Sequence, residues 1–336
     1  MPNTLVVFVH GFLSSGESFR RFPEDLLERV NRNTNSTRAF FDTLAYNYST
    51  TGSNDQRVIE FVRFLEERSR SYAQVVLIGH SMGGVLALDA VRRCHPNSDY
   101  NRHEGHEQGI DGLYRGAGSP LQQKIHLVIS VDSPFFGLHP HVIAVSGARR
   151  VGNAINWVSD RFGSAVQSRS AYEDTYSSQE TSSSSRSSGW GLLGLAAVAT
   201  VAVGAAAAYA LSSSTRSVQA DEDERAAAPG IGHAEFLSPL WNIANMAPRF
   251  EDLNNLPIEF HGFYLAVSEF GSSNRSTSLK NFVQIPPDPY RHYFQEIDIQ
   301  ARDEIEAHMG IFRSEFDSAA YYHLLTAVAR IIADVL

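Results

Sequence analysis

Gly79-His80-Ser81-Met82-Gly83-Gly84 holds residue types that could make a nucleophile. A serine hydroxyl attacks a carbonyl only when it is presented clear of the chain, beside a base and facing amide donors. A sharp strand-to-helix turn does this, but it strains the serine backbone and leaves room only for small residues two before and two after it. Both are glycine here. The apolar run Val75–Ile78 precedes the turn, and a helical pattern from Val85 to Val91 follows it. Without those flanks the same spacing would be an ordinary glycine-rich βα turn.

Acyl transfer also needs two N–H donors for the negative oxygen of the tetrahedral intermediate. One is expected from Met82, the residue after the nucleophile, at the positive end of the second helix. The other is expected from the loop after an early strand. His10-Gly11-Phe12 ends the apolar run Thr4–Val9, and Phe12 or Leu13 is placed to give that amide, with Gly11 allowing close approach. Taken alone, this segment reads equally well as a strand-ending turn.

The elements that must position these residues follow from periodicity. Thr4–Val9 and Val75–Ile78 are short, continuously apolar runs of the kind buried on both faces of a parallel sheet. Ala39–Tyr48 and Ile125–Val131 read as further strands. Between them, Asp55–Arg70 carries Val58, Phe61, Val62 and Leu65 at helical spacing, with Asn54 or Asp55 as N-cap. Strand, helix, strand, helix, strand in this order predicts βαβ units. Later in the chain, Ile258–Val267 and Asn281–Ile285 are expected as the last two strands. Glu235–Met246 is expected as a helix, and Asp317–Leu336 as a closing helix with Tyr321, Leu324, Leu325, Val328, Ile331 and Ile332 on one face.

The middle has another character. Residues 163–188 are rich in serine and lack periodicity, which predicts a disordered loop. Trp190–Leu211 then runs for 22 residues without a charge, nine of them alanine. As a helix it would be about 33 Å long, enough to span a bilayer. A single crossing would nonetheless part Ser81 from any histidine beyond the segment, and these two must meet for proton transfer. Residues 151–234 are therefore expected as an insertion in a single domain whose core is 4–150 and 235–336. The alanine-rich helix would be a cap or lid, an interfacial hairpin or a buried helix, and we favour a cap able to touch a membrane surface.

Val9-His10-Gly11-Phe12 together with Gly79-His80-Ser81-Met82-Gly83-Gly84 resembles the lipase/esterase branch of the α/β-hydrolase superfamily, in particular serine esterases with a lipase-like core. The likeness covers roughly residues 4–150 and 235–336. It implies the α/β-hydrolase fold, a mostly parallel sheet flanked by helices. It also implies a Ser-His-Asp/Glu triad and ester or acyl-bond hydrolysis with neither metal nor organic cofactor. In that fold the histidine follows the last strand, so His292, His308 and His323 are candidates. His323 lies within the closing helix. His308 is preferred over His292 for its compact segment with nearby Gly310, and neighbouring Asp303, Glu304 and Glu306 favour an imidazolium. Asp132, in Val131-Asp132-Ser133-Pro134, is the first candidate acid. Glu269 in the more usual position and Asp288 remain alternatives.

Bulk properties fit this picture. The chain has 336 residues, 43% of them hydrophobic, and a net charge of −9, which disfavours nucleic acid or an anionic membrane as an electrostatic partner. Its single cysteine, Cys94, allows no internal disulfide and reads as a buried thiol. The amino-terminal residues lack the features of a signal peptide. An intracellular setting, cytoplasmic or peripheral to a membrane, is expected, and the sequons at Asn35, Asn47 and Asn274 read as chance. His103, Glu104, His106 and Glu107 lie in a glycine-rich stretch without further ligands at usable spacing, so no metal site is expected. The expected substrate is an apolar acyl ester or lipid, suggested by Phe12, Leu13, Phe135, Phe136 and Leu138. The rivals are an amide or thioester hydrolase, and an inactive hydrolase-like binding module at a membrane.

Overall fold

The computed structural model describes residues 3–33, 41–95, 98, 119–139, 142, 237, 240, 247–268 and 281–335. Contacts divide the chain into two units, Met1–Val142 with Asp221–Leu336, and Ile143–Ala220. All described residues belong to the first. The serine-rich stretch, Trp190–Leu211, Glu269 and the His103–Glu107 group lie outside the described residues, as does all of the expected helix Glu235–Met246 except Leu237 and Leu240.

Six parallel strands form the sheet: β1 (Thr4–Val9), β2 (Phe41–Tyr46), β3 (Gln74–His80), β4 (Ile125–Val131), β5 (Glu259–Ser268) and β6 (Phe294–Gln300). Their spatial order is β2-β1-β3-β4-β5-β6. Alternate residues of the central strands point to opposite faces and fill two separate cores. Val6, Phe8, Val76, Ile78, Leu127 and Ile129 pack on one side with α1 (Phe22–Asn33) and α6 (Ser318–Val335). Leu5, Val7, Val9, Val75, Leu77 and Val128 pack on the other with α2 (Asn54–Arg68), α3 (Met82–Cys94) and α4 (Ala247–Leu253). Covered on both faces, β1, β3 and β4 are dominated by apolar residues, most continuously in Leu5–Val9 and Val75–Ile78.

Two expectations need correction. Asn281–Ile285 is not a strand; it contributes one isolated antiparallel bridge, Val283 to Leu138. The last strand is β6, whose buried Ile297 and Ile299 alternate with more exposed Glu296, Asp298 and Gln300. It is the sheet edge beyond β5, so one face and one side stay polar, and its charges hide it from a search for apolar runs. Helix α1 was also not anticipated, although Phe22, Leu26 and Val30 recur every four residues and are buried.

Helix α3 is buried on nearly every side, and it carries charges that must be compensated there. Asp89 accepts from Arg249 Nε and Nη2, both at 2.7 Å, and from Arg92 Nη1 at 3.2 Å. Asp252 accepts from Arg92 Nε at 2.6 Å and from Ser98 Oγ at 2.7 Å. Two carboxylates face two guanidiniums away from water. Breaking such a pair, unlike replacing all of it, costs about 3–5 kcal/mol. The network ties α4 to α3, the helix capped by Ser81. Among the described residues, no helix is long and apolar enough to cross a membrane.

Candidate active site

Register alone brings the site together. Val9 pairs with Gly79, and His80 pairs with Val131. Continued past the strand ends, this register sets Gly11, Ser81 and Asp132 side by side at the carboxyl ends of β1, β3 and β4. The Ser81 amide donates to the Val131 carbonyl at 3.0 Å, and the Asp132 amide donates to Phe263 on β5 at 2.7 Å.

Ser81 and Asp132 both have left-handed backbones, φ 55° and 48°. Such values in non-glycine residues persist only where the surroundings over-determine them, and they cluster at functional positions. The elbow's glycines are needed for space. A Cβ on Gly79 would strike the Gly84 backbone, and one on Gly83 would strike the carbonyl of Val9. A Cβ on Gly11 would lie 2.7 Å from Ser81 Cβ and 3.2 Å from its Oγ. The loop after β1 thus touches the serine directly.

His308 sits on α5 (Glu304–Gly310), whose N-cap Asp303 accepts from the amides of Ile305 and Glu306 at 3.0 and 2.8 Å. Its Nδ1 donates to Asp132 Oδ2 at 2.6 Å, the short length of a charge-assisted bond. The other oxygen, Oδ1, accepts from the Leu265 amide at 3.2 Å. Asp132 is wholly buried, and His308 is 5% exposed. The His308 ring lies between Phe282, 3.8 Å away and nearly parallel, and His80 at 4.5 Å. His80 precedes Ser81 in the chain, so histidine, aspartate and serine share one end of the sheet.

The other candidates lie elsewhere. His292 and Asp288 are exposed on a short 3₁₀ turn, Asp288–Tyr293, and His323 is exposed on α6. The Asp132 bond to His308 favours that aspartate over Asp288 on geometry. Glu269 lies outside the described residues. Cys94 is buried, and burial pushes its thiol up to about 12, as expected of a shielded cysteine. Among the described residues no cluster of His, Cys, Asp and Glu could hold a metal.

Sequence reading missed the rings flanking His308. Phe282 belongs to the segment taken for a strand. His80 carries no role in the elbow's spacing, yet its side chain is buried. Burial first, then repulsion by His308, hold the His80 imidazole well below its ordinary range; the nearby His308 main chain pulls the other way without making a well-formed hydrogen bond. This has a consequence for acid stability. A histidine with a lowered folded pKa stabilises fully above about pH 6.5. As pH falls below that value the unfolded chain takes up a proton that the folded chain refuses, so stability drops. We expect unfolding free energy to fall as pH drops below about 6.5. His10, also lowered by burial, adds to it. Urea titrations between pH 5 and 8 should show this slope, and His80→Phe should flatten it; an unchanged slope would mean that His80 is protonated in the fold.

Comparison with known proteins agrees with this fold. The profile described as the alpha/beta hydrolase family matches residues 6–295. No curated protein matches the chain. Among solved structures, one from a study of carboxylesterases of Nitrososphaera gargenis is 12% identical, covering 99% of this chain and 92% of that one at a TM-score of 0.40. The Bacillus licheniformis lipase BlEst2 is 15% identical, covering 95% and 91% at 0.38. The phospholipase PlaB from Legionella pneumophila is 15% identical over 46% of this chain at 0.31, and the chain spans only 29% of that phospholipase. The weight rests on the family profile, which runs from β1 into β6 across the elbow: the chain belongs to the alpha/beta hydrolase family.

Proposed function

We propose that this hydrolase cleaves carboxylic esters by a serine mechanism. The observation that carries the reading is the buried Asp132–His308 hydrogen bond of 2.6 Å beside a serine with φ 55°. In this reading Ser81 Oγ attacks the acyl carbon while its proton passes to His308 Nε2. Asp132 holds the ring in the tautomer with Nδ1 protonated and stabilises the imidazolium. The amides of Met82 and Phe12 receive the developing negative oxygen, a donor of this kind being worth about 10²–10³ in kcat. Collapse of the intermediate breaks the ester C–O bond, and His308 returns its proton to the leaving alkoxide. Water, deprotonated by the same imidazole, then releases the acid and frees Ser81.

An apolar acyl group is supported by what surrounds the two amides. Met82 and Leu240 are buried together, with Phe12, Tyr48, Leu138 and Leu237 packed against them. A fluorophosphonate probe should label the chain at Ser81. Among p-nitrophenyl esters, kcat/KM should rise from acetate to longer acyl chains, by up to about 4-fold per methylene. Labelling elsewhere, or none, would remove the serine mechanism; a profile falling from acetate onward would remove the apolar acyl site.

A further inference from the structure

We propose that His10 and Tyr48 are positioning residues that aim the Phe12 amide at the oxyanion. The inference rests on the reading of Phe12 as an oxyanion donor and names what holds that donor in place.

The need arises at Gly11. Ser81 occupies the space where a Cβ would sit, so only glycine fits, and glycine leaves its backbone free to turn. The Phe12 N–H belongs to the peptide plane that begins at the Gly11 carbonyl. In a trans peptide, C=O and N–H point in opposite directions, so fixing one aims the other. A loose hinge would therefore sit directly beside an amide that catalysis needs held still.

Three consecutive planes are tied by side chains. Tyr48 Oη donates to the His10 carbonyl at 2.7 Å, holding the plane between residues 10 and 11. His10 Nδ1 donates to the Gly11 carbonyl at 2.9 Å, holding the plane that bears the Phe12 N–H. Thr50 Oγ1 accepts from the Leu13 amide at 3.3 Å, holding the next. Leu13 has φ 51°, a strained value that needs such ties.

The His10 ring is itself fixed. Its Nε2 accepts from the Tyr48 amide at 3.3 Å, which requires the neutral tautomer with hydrogen on Nδ1, the nitrogen that serves Gly11. Tyr48 stacks on the imidazole at 4.3 Å with 22° between the planes. Tyr46 in turn stacks on Tyr48 at 5.2 Å. The end of strand β2 and the residues just after it thus reach the His10-Gly11 turn through two stacked rings.

The test uses the full chain, a short p-nitrophenyl ester and a trifluoromethyl ketone that adds reversibly to a serine. Tyr48→Phe removes one hydrogen bond and keeps the stack. His10→Leu removes the donor to Gly11, whereas His10→Asn keeps an amide N–H near the place of Nδ1. Misaiming one donor should lower kcat by about 100-fold in His10→Leu and about 10-fold in Tyr48→Phe, with KM changed less than about 3-fold. Ketone affinity should weaken in step with kcat, and His10→Asn should recover about 10-fold over His10→Leu. If His10→Leu is unstable, Tyr48→Phe decides, since it leaves both rings packed. Wild-type kcat in Tyr48→Phe and unchanged ketone affinity would overturn the inference while leaving the serine mechanism standing. A wild-type chain that neither hydrolyses esters nor binds the ketone would overturn that mechanism and this inference together.

Discussion

Ser81→Ala should lower kcat by about 10⁴-fold or more and abolish probe labelling, while the melting temperature stays within a few degrees. The two halves of this expectation have separate causes. The hydroxyl supplies the nucleophile, and no other serine shares its turn beside His308. Its removal leaves no donor or acceptor stranded, because the bond that locks Ser81 in place comes from its backbone amide to Val131. Alanine suffers the positive φ about as serine does, so the stability change should stay within about 0.5 kcal/mol. His308→Ala should be similarly inactive, and the double variant no worse than either single, since the groups act as a unit. Undiminished ester hydrolysis by Ser81→Ala, with product confirmed by mass, would falsify the nucleophile.

How much of this was legible beforehand depended on which residues face a single physical demand. The elbow has one, because the space around Ser81 admits only glycine at positions 79 and 83. The central strands have one too, since both faces of β1, β3 and β4 are covered. β6 answers to two: Ile297 and Ile299 are buried, while Glu296 and Asp298 sit at the edge, and Phe282, Val283 and Ile285 give the nearby Asn281–Ile285 a more strand-like composition although it forms only one bridge. The choice among Asp132, Glu269 and Asp288 stayed open because a carboxylate at a strand end also suits an ordinary turn. Only the geometry of α5 against β4 distinguishes Asp132 from Asp288.

Tyr48 shows a further limit. Nothing in its local sequence marks it, and its contacts with His10 span 38 positions. They exist because β2 lies beside β1, so that the chain leaving β2 emerges next to the His10-Gly11 turn. A right-handed parallel crossover makes that neighbour relation common, yet the pattern of apolar residues does not specify which ring will reach which carbonyl. His80 is similar: its environment is set by Phe312 and His308 from the far end of the chain. Residues that do chemistry announce themselves by type and spacing, whereas residues that hold them still are found through topology.

Asp132→Asn is the sharper probe of the triad, because it changes charge and proton placement with almost no change in shape. In the native site one carboxylate oxygen accepts from the Leu265 amide and the other from His308 Nδ1. Asparagine has one acceptor oxygen and one NH2 group, so it cannot serve both donors. If its oxygen faces His308, its NH2 opposes the Leu265 N–H, which leaves a buried donor unsatisfied at about 1–3 kcal/mol. If its oxygen faces Leu265, its NH2 faces His308 Nδ1. The imidazole must then accept there and carry its proton on Nε2, where it can no longer take one from Ser81. Either arrangement also removes the negative charge that stabilises the imidazolium. We expect kcat to fall by about 10⁴-fold, with KM nearly unchanged. The downfield proton resonance of the His308 Nδ1–H should move upfield in the first arrangement and disappear in the second. Asp288→Asn, on its exposed turn, should leave kcat within about 2-fold of wild type. Loss of activity in Asp288→Asn with retention in Asp132→Asn would move the acid away from β4, and the 2.6 Å bond would then be a structural tie alone.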